Sequence, residues 1–291
     1  MEDKDTFFSR KYMINCNGAL LDLSKPKVMG VLNVTPDSFY DGGRYFQEKT
    51  IKDQVGRLVA EGADIIDIGG YSSRPGADHI PIDEERKRLL PVLDLVRKHY
   101  PGVILSVDTF RSEIADQVVS DYRVDIINDI SAGEMDPAMF ETIAKLQVPY
   151  IMMHMKGTPE DMKYKARYGD MMKEITDYFS LKYDQLRKMG VKDIILDPGF
   201  GFGKNVEHNY QLLHNLEQFK IFELPILVGL SRKSMIYKIL NTTPNEALNG
   251  TTVLNSIALM KGADILRVHD VKQTREVITL IEKYRTSTGN C

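Results

Sequence analysis

The chain is poor in several residue types. It has no tryptophan, two cysteines and six histidines among 291 residues. The two cysteines, Cys16 and Cys291, lie near opposite ends. A fold stapled by disulfides is therefore not expected, and two distant thiols suit a reduced, cytoplasmic setting. The histidines do not cluster at metal spacing, and no His-Glu-x-x-His is present. No run of about 18 apolar residues offers a membrane span. The start, Met1-Glu-Asp-Lys-Asp, lacks the apolar stretch of a secretory signal. Neither sign of charge dominates, with 38 basic against 41 acidic side chains and a net charge of −3. With no basic run either, a nucleic-acid or anionic-membrane surface is not indicated.

What is present is ordinary globular material, 43% hydrophobic and 27% charged. A chain of this length can bury a single large core without a staple. One pattern recurs eight times: a short apolar, β-branched run ends in a polar or glycine cluster, and a longer amphipathic stretch follows. The runs are 27–34, 63–70, 102–109, 125–131, 149–154, 193–199, 225–231 and 264–270. They are mostly apolar rather than alternating, as expected of parallel strands buried on both faces. The stretches 53–61, 83–99, 112–120, 137–147, 168–189, 208–216, 233–240, 249–261 and 271–284 read as helices, with start and stop residues mostly where helices want them.

Strands and helices alternating eight times predict an α/β fold, a single (β/α)8 barrel. Residues 27–291 would form the barrel. Residues 1–26 would form an extension, with a hairpin around Gly18 (12–17 and 19–23) capping the barrel bottom. The rival is an open doubly wound sheet. It would carry a Gly-rich turn after the first strand, where this chain reads Asn33-Val-Thr-Pro-Asp-Ser-Phe39. No linker divides 1–291, so one domain is expected.

In such a barrel the reactive groups sit at the C-terminal ends of the strands. The eight ends carry, in order, Asn33; Gly69-Gly70 before Ser72-Ser-Arg-Pro-Gly76; Asp108-Thr109; Asn128-Asp129; His154; Asp197; Ser231-Arg232-Lys233; and Arg267 with His269. Helix caps would explain some of these, for Asp108 or Asp197 alone as readily as a site would. Alternation of side chains puts Ile265, Arg267 and His269 on one side of a strand, Ile126, Asn128 and Ile130 on one side of another, and Ser106 with Asp108. A pocket with an apolar floor and convergent polar tips suits a flat polar heterocycle. Carboxylates such as Asp108 and Asp197 accept paired N–H bonds, Asn128 adds an amide, and Lys233 can donate to a ring oxygen. Arg267 and His269 stand where barrels bind phosphate. Asn33 can offer one oxygen to Mg²⁺, with phosphate oxygens and waters completing the shell. Two long loops, 35–44 and 71–77, would cover the rim.

Other motifs fail. Gly199-Phe-Gly-Phe-Gly-Lys204 matches neither a Walker A loop nor a Rossmann turn. It fits better as a glycine loop that approaches a ligand, with Phe202 as an apolar wall. Lys233 as a Schiff-base lysine would leave the Asp and Asn set without a use.

At this point a family resemblance emerges. Gly30-Val-Leu-Asn-Val-Thr-Pro-Asp-Ser-Phe39, Asp67-Ile-Gly-Gly-Tyr-Ser-Ser-Arg-Pro-Gly-Ala77, Ser106-Val-Asp-Thr109, Ile127-Asn-Asp-Ile130, Met153-His-Met155, Leu196-Asp-Pro-Gly-Phe-Gly-Phe-Gly-Lys204, Gly229-Leu-Ser-Arg-Lys-Ser234 and Arg267-Val-His-Asp270 are similar to the motifs of dihydropteroate synthases, in family order. The resemblance implies a pterin-binding barrel enzyme that joins 4-aminobenzoate to 6-hydroxymethyl-7,8-dihydropterin diphosphate in folate synthesis. It implies that Asp197 reads the pterin amide and 2-amino edge and that Asn128 and Asp108 take the remaining ring nitrogens. Lys233 would reach the ring oxygen, and Arg267 would stack near the ring and, with His269, meet the diphosphate. Met153, Ile130, Gly229 and Phe202 would line the ring. Asn33 would be the position linked to Mg²⁺. Phe39, Asp41, Ser73, Arg74, Pro75 and Ser234 would serve 4-aminobenzoate and the loops. A homodimer, a sulfonamide target, small-molecule partners and no nucleic acid or membrane complete the expectation. Tyr71 departs from the family, which often has glutamate there, and Ser73 stands where threonine is frequent. A methyltetrahydrofolate–corrinoid methyltransferase-like barrel and a non-catalytic pterin-binding barrel are the alternatives.

Overall fold

The computed structural model describes residues 13–34, 43–73 and 79–287. A hairpin comes first, β1 (Met13–Cys16) antiparallel to β2 (Ala19–Asp22). Asn17 and Gly18 turn it, with φ of 50° and 91°. Two successive positive φ values suit a tight two-residue turn whose twist matches that of paired strands. Along each strand one face is buried: Ile14, Cys16 and Leu21, followed by Leu23.

Eight parallel strands then form a ring. They are β3 (Lys27–Asn33), β4 (Ile65–Gly69), β5 (Ile104–Asp108), β6 (Ile126–Asp129), β7 (Tyr150–Met153), β8 (Ile194–Asp197), β9 (Leu227–Val228) and β10 (Ile265–Val268). Their spatial order is β8-β7-β6-β5-β4-β3-β10-β9. The remaining seam is closed by a parallel bridge between Leu196 and Ile226, where Leu196 N donates to Pro225 O at 2.9 Å. That closure rejects the open doubly wound sheet.

Around the ring lie α1 (Gly43–Ala60), α2 (Ile82–His99), α3 (Ser112–Tyr122), α4 (Met139–Leu146), α5 (Met162–Lys165), α6 (Met171–Lys188), α7 (Val206–His214), α8 (Ser234–Tyr237), α9 (Leu248–Met260) and α10 (Val271–Thr286). Outward residues such as Leu32, Ile66, Val107 and Ile127 pack beneath them in one continuous core. None of the described helices is long and apolar enough to cross a membrane.

The expected elements are present, with three shifts. Helix α1 begins at Gly43 rather than near 53. The stretch 168–189 holds only α6, which starts where Asp170 caps it by accepting from Lys173 N at 3.1 Å. Strand β9 shrinks to two residues, and a turn at Ser231-Arg232, with Lys233 N donating to Leu230 O at 3.2 Å, leads into α8.

Alternation sorts the barrel interior into layers. The bottom layer is apolar: Met29, Ile65, Ile126, Ile151, Ile195, Leu227 and Ile265, with Ile104 half-buried beside them. The hairpin's Ile14, Cys16, Leu21 and Leu23 pack onto this layer, so the hairpin plugs the lower mouth as expected. The next inward positions are Val31, Asp67, Ser106, Asn128, Met153, Asp197, Gly229 and Arg267. Above them come Asn33, Asp108, Ile130 and His269. Chemistry is thus confined to the upper half of the barrel.

Candidate active site

The upper layers are joined by one guanidinium. Arg267 projects inward from β10; its Nε donates to Asp67 Oδ2 at 2.6 Å and its Nη2 to Asp108 Oδ2 at 2.9 Å. Asp67 Oδ2 also accepts from Asn128 Nδ2 at 3.2 Å. Side chains from β10, β4, β5 and β6 therefore form one polar chain across the barrel. Asp67 is fully buried. Burial pushes the Asp108 carboxyl up to about 7, against the Arg267 guanidinium, which pulls it down.

Asn33 ends β3 on the same side. The Asn33 amide oxygen and the Asp108 carboxylate both flank Gly69, each 3.8 Å from where a Cβ on that glycine would lie. The strand that carries Asn33 lies directly beside β10, the strand of Arg267, as expected.

The opposite wall is built by β8, the loop after it, and Lys233. Asp197 ends β8 and accepts from Gly199 N at 2.8 Å through Oδ1. Burial raises its carboxyl, while Lys233 nearby lowers it. Lys233 directly precedes α8 and donates from Nζ to Phe200 O. Its ammonium lies 4.9 Å from the Phe202 ring centroid, a cation–π contact. Burial lowers it to about 8, opposed by Asp197. A Cβ on Gly229 would sit 3.8 Å from both Lys233 Nζ and Arg267 Cβ, so this glycine lets the two cations share one wall.

The loop 199–203 has to be glycine-rich. Gly199 has a φ of 73°, and a Cβ there would fall 1.9 Å from His154 O. Lys204 is buried behind the loop. Its Nζ lies 3.0 Å from His154 Nδ1 and donates to Gly199 O at 3.0 Å and Phe202 O at 3.1 Å. The loop is wrapped around an ammonium, which holds Phe202 toward the pocket.

His269 lies next to Ser231. Its backbone N donates to Ser231 Oγ at 3.2 Å, and its ring Nδ1 is 3.2 Å from the same hydroxyl. Arg232, by contrast, is spent on a bidentate pair with Asp270 at 2.9 and 2.8 Å, which ties the β9 loop to the end of β10.

The apolar lining is Ile130, Met153 and Phe202, grouped with Tyr71, Phe110, Met155 and Met162. Tyr71 supplies a ring that fits this wall. It stands edge-on to Phe110 at 5.1 Å, its hydroxyl is 3.4 Å from His79 Nδ1, and Arg111 lies 5.8 Å from its ring centroid. It therefore joins the two described ends of the second loop. Ser73 is half-buried beyond it, and Ser234 opens α8 immediately after Lys233. Phe39, Asp41, Arg74 and Pro75 lie outside the described residues, as does Cys291.

One expectation needs correction, and one residue was missed. Not every strand end sends a polar group into the barrel. His154 faces outward, because Ile151 and Met153 take the inward positions of β7, and it meets Lys204 and the edge of Tyr178. Asp129 and Thr109 also face outward. Asp129 accepts from Tyr150 Oη at 2.6 Å and from Ser131 N and Gly133 N, both at 2.8 Å, which makes it a loop anchor. The residue that strand-end reading passed over is Asp67. It sits mid-strand, yet it is two residues from Ile65 and so shares its inward face, which alternation could have revealed. Among the described residues no group of three or more acidic, histidine or cysteine side chains could hold a metal.

These features define a barrel enzyme whose rim sets hydrogen-bonding carboxylates beside buried cations. Residues 29–269 match the model of the pterin binding enzyme family, and the chain belongs to that family. It is 43% identical over 275 residues to the dihydropteroate synthase of Escherichia coli (strain K12), spanning 94% of this chain and 96% of that protein. The structure of the Yersinia pestis dihydropteroate synthase with a sulfonamide drug complex superposes with a TM-score of 0.87 at 41% identity, covering 94% and 99% of the two chains. That of Xanthomonas albilineans dihydropteroate synthase with 4-aminobenzoic acid gives 0.86 at 35% identity, covering 97% and 100%. Within its family the chain thus stands among the dihydropteroate synthases, transferases of folate biosynthesis.

Proposed function

We propose that this rim joins 4-aminobenzoate to 6-hydroxymethyl-7,8-dihydropterin diphosphate, giving 7,8-dihydropteroate and diphosphate. The observation that carries the reading is the side-chain chain Asn128–Asp67–Arg267–Asp108, facing Asp197 and Lys233 across one barrel mouth. Asp197, Asp108 and Asn128 supply acceptors for the ring N–H groups, and Lys233 donates to the ring oxygen. Ile130, Met153, Gly229 and Phe202 give the ring its flat apolar walls.

Arg267 spends Nε and Nη2 on carboxylates, which leaves Nη1 for the diphosphate beside His269. These two residues stabilise the leaving group as the carbon–oxygen bond breaks and its electron pair goes to diphosphate. The electron-rich dihydropterin carries the developing positive charge, which the Asp108 and Asp197 carboxylates favour. The amine nitrogen then attacks the exocyclic carbon and loses its proton. An amine is already a nucleophile, so no strong general base is needed. Ser73 and Ser234, with Phe39, Asp41, Arg74 and Pro75, are assigned to 4-aminobenzoate and the covering loops. A sulfonamide, as bound by the Yersinia relative, would compete there.

The donor set fits Mg²⁺ only as a partner of the substrate. Asn33 offers one hard oxygen near the Asp108 carboxylate, too few ligands for a resident ion and enough for one carried by diphosphate. When bound, Mg²⁺ neutralises charge on the departing diphosphate.

We also infer a homodimer. Val253, Ile257 and Met260 form an exposed stripe along α9, and Leu280 and Tyr284 another along α10. Such an apolar face suits a second copy. Ile257→Glu should shift the sedimentation coefficient toward the monomer. A cytoplasmic site of action is inferred from the two distant thiols, of which Cys16 is buried and free.

The deciding experiment is diphosphate release with and without 4-aminobenzoate. Release that depends on the amine is expected. Methyl transfer from methyltetrahydrofolate instead would point to the methyltransferase alternative, and pterin binding without either reaction to a non-catalytic barrel.

A further inference from the structure

Asp67 has no part in the reaction as described above. It lies one layer below the rim and is fully buried. We propose that Asp67 is a positioning residue for pterin recognition: it fixes the orientation of the Asn128 amide and the plane of the Arg267 guanidinium without touching the substrate. The proposal rests on the pterin-site reading of the rim.

Two donors end on a single oxygen. Asp67 Oδ2 accepts from Arg267 Nε at 2.6 Å and from Asn128 Nδ2 at 3.2 Å. An amide has one donating and one accepting end. With its NH₂ held by a carboxylate, Asn128 must turn Oδ1 away from Asp67, and the pocket gains an acceptor there. If the amide flipped, a donor would meet the ring N–H groups and two donors would oppose each other. Asp67 thus selects one of two nearly isosteric states of a recognition residue.

The same carboxylate sets the guanidinium. A planar fork held at Nε by Asp67 and at Nη2 by Asp108 has both its tilt and its rotation fixed, with Nη1 projecting from the constrained edge. A second buried carboxylate costs desolvation that an apolar residue would avoid. Its place in the barrel is explained by what it orients. The other oxygen, Oδ1, has no partner among the described residues, and neither has Ser106 Oγ on the residue paired with Asp67 in the β4–β5 register.

That asymmetry makes the test specific. In Asp67→Asn the side-chain carbonyl can still accept from both Arg267 and Asn128. The new NH₂ then takes the side of Oδ1, which has no partner among the described residues to lose. Affinity for 6-hydroxymethylpterin is measured by calorimetry on the folded, full-length protein, with thermal unfolding as the folding control. Asn128→Ala should weaken binding roughly tenfold or more, and Asp67→Ala to a similar extent, as expected for lost hydrogen bonds to a buried ring. Asp67→Asn should stay within about threefold of wild type. The double variant Asp67→Ala/Asn128→Ala should bind no more than about threefold more weakly than Asn128→Ala alone, because residues acting as one unit are not additive.

Wild-type affinity in a folded Asp67→Ala protein would overturn the proposal. So would full additivity in the double variant, or an Asp67→Asn protein as weak as Asp67→Ala. If Asp67→Ala does not fold, Asp67→Ser, still polar but too short to reach both donors, takes its place with the same expected loss. If Asn128→Ala itself binds as wild type, the pterin-site reading fails, which is a different result.

Discussion

Arg267 shows how much one side chain can do when its geometry, rather than its charge alone, is used. Its Nε and Nη2 are divided between carboxylates on two different strands. A lysine keeps the charge but not the fork, so it cannot hold both contacts and still face a leaving group. Arg267→Lys should therefore lower turnover in a diphosphate-release assay by roughly ten- to a hundredfold, the scale of losing one well-placed charge-stabilising donor. Free-pterin affinity by calorimetry should fall less. A kcat within twofold of wild type would mean that charge alone suffices. Arg267, His269, Asp108, Asn128 and Asp197 were legible in the sequence because each stands at or beside a strand end, where period two places it on the inward face. Asp67 carries the same period-two signal, but it lies inside the run Ile65-Ile-Asp-Ile-Gly69 rather than at its end, and what it does depends on partners from other strands.

At the scale of elements, the glycine loop after β8 has the clearest internal logic. It wraps the Lys204 ammonium with the Gly199 and Phe202 carbonyls and the His154 ring. Burial lowers that lysine from its ordinary 10.5 to about 7. Between these two values the unfolded chain binds a proton that the folded chain does not, so stability rises with pH across the window. Below about 7 both states are protonated and this contribution to the slope vanishes. Lys204→Met removes it. Urea unfolding at about pH 7 and about pH 9.5 should show a larger gain in stability for wild type than for the variant. An equal gain would mean that the lysine is not held away from its ordinary state. Lys233, lowered to about 8, contributes with the same sign in both proteins. The strands were legible here because parallel strands buried on both sides read as unbroken apolar runs. Among the described side chains of α1, the buried apolar ones are Ile51, Val55 and Leu58, so the packing signal lies toward its C-terminal half.

For the whole molecule, the layered interior separates two tasks along one axis. The lower mouth is sealed by apolar contacts from the hairpin, and the upper mouth carries every charged group of the site. Ile14 is 1% exposed and packs among the lowest inward residues of the barrel strands. Ile14→Ala removes three buried carbons and leaves a cavity that the surrounding strands, fixed by their ladder, can fill only in part. The expected cost is about 2–5 kcal/mol of unfolding free energy, the usual range for such a truncation in a core. Because the hairpin meets the barrel at the end opposite Asn33, Asp108 and His269, kcat/KM at a temperature where the variant is folded should stay within about twofold of wild type. Denaturant unfolding and steady-state kinetics on the same preparation decide the matter. A stability loss accompanied by a large fall in kcat/KM would show that the lower layer sets the geometry of the rim. A stability loss alone would show that the polar chain from Asn128 to Asp108 holds its own shape, using contacts that run across the barrel rather than along it.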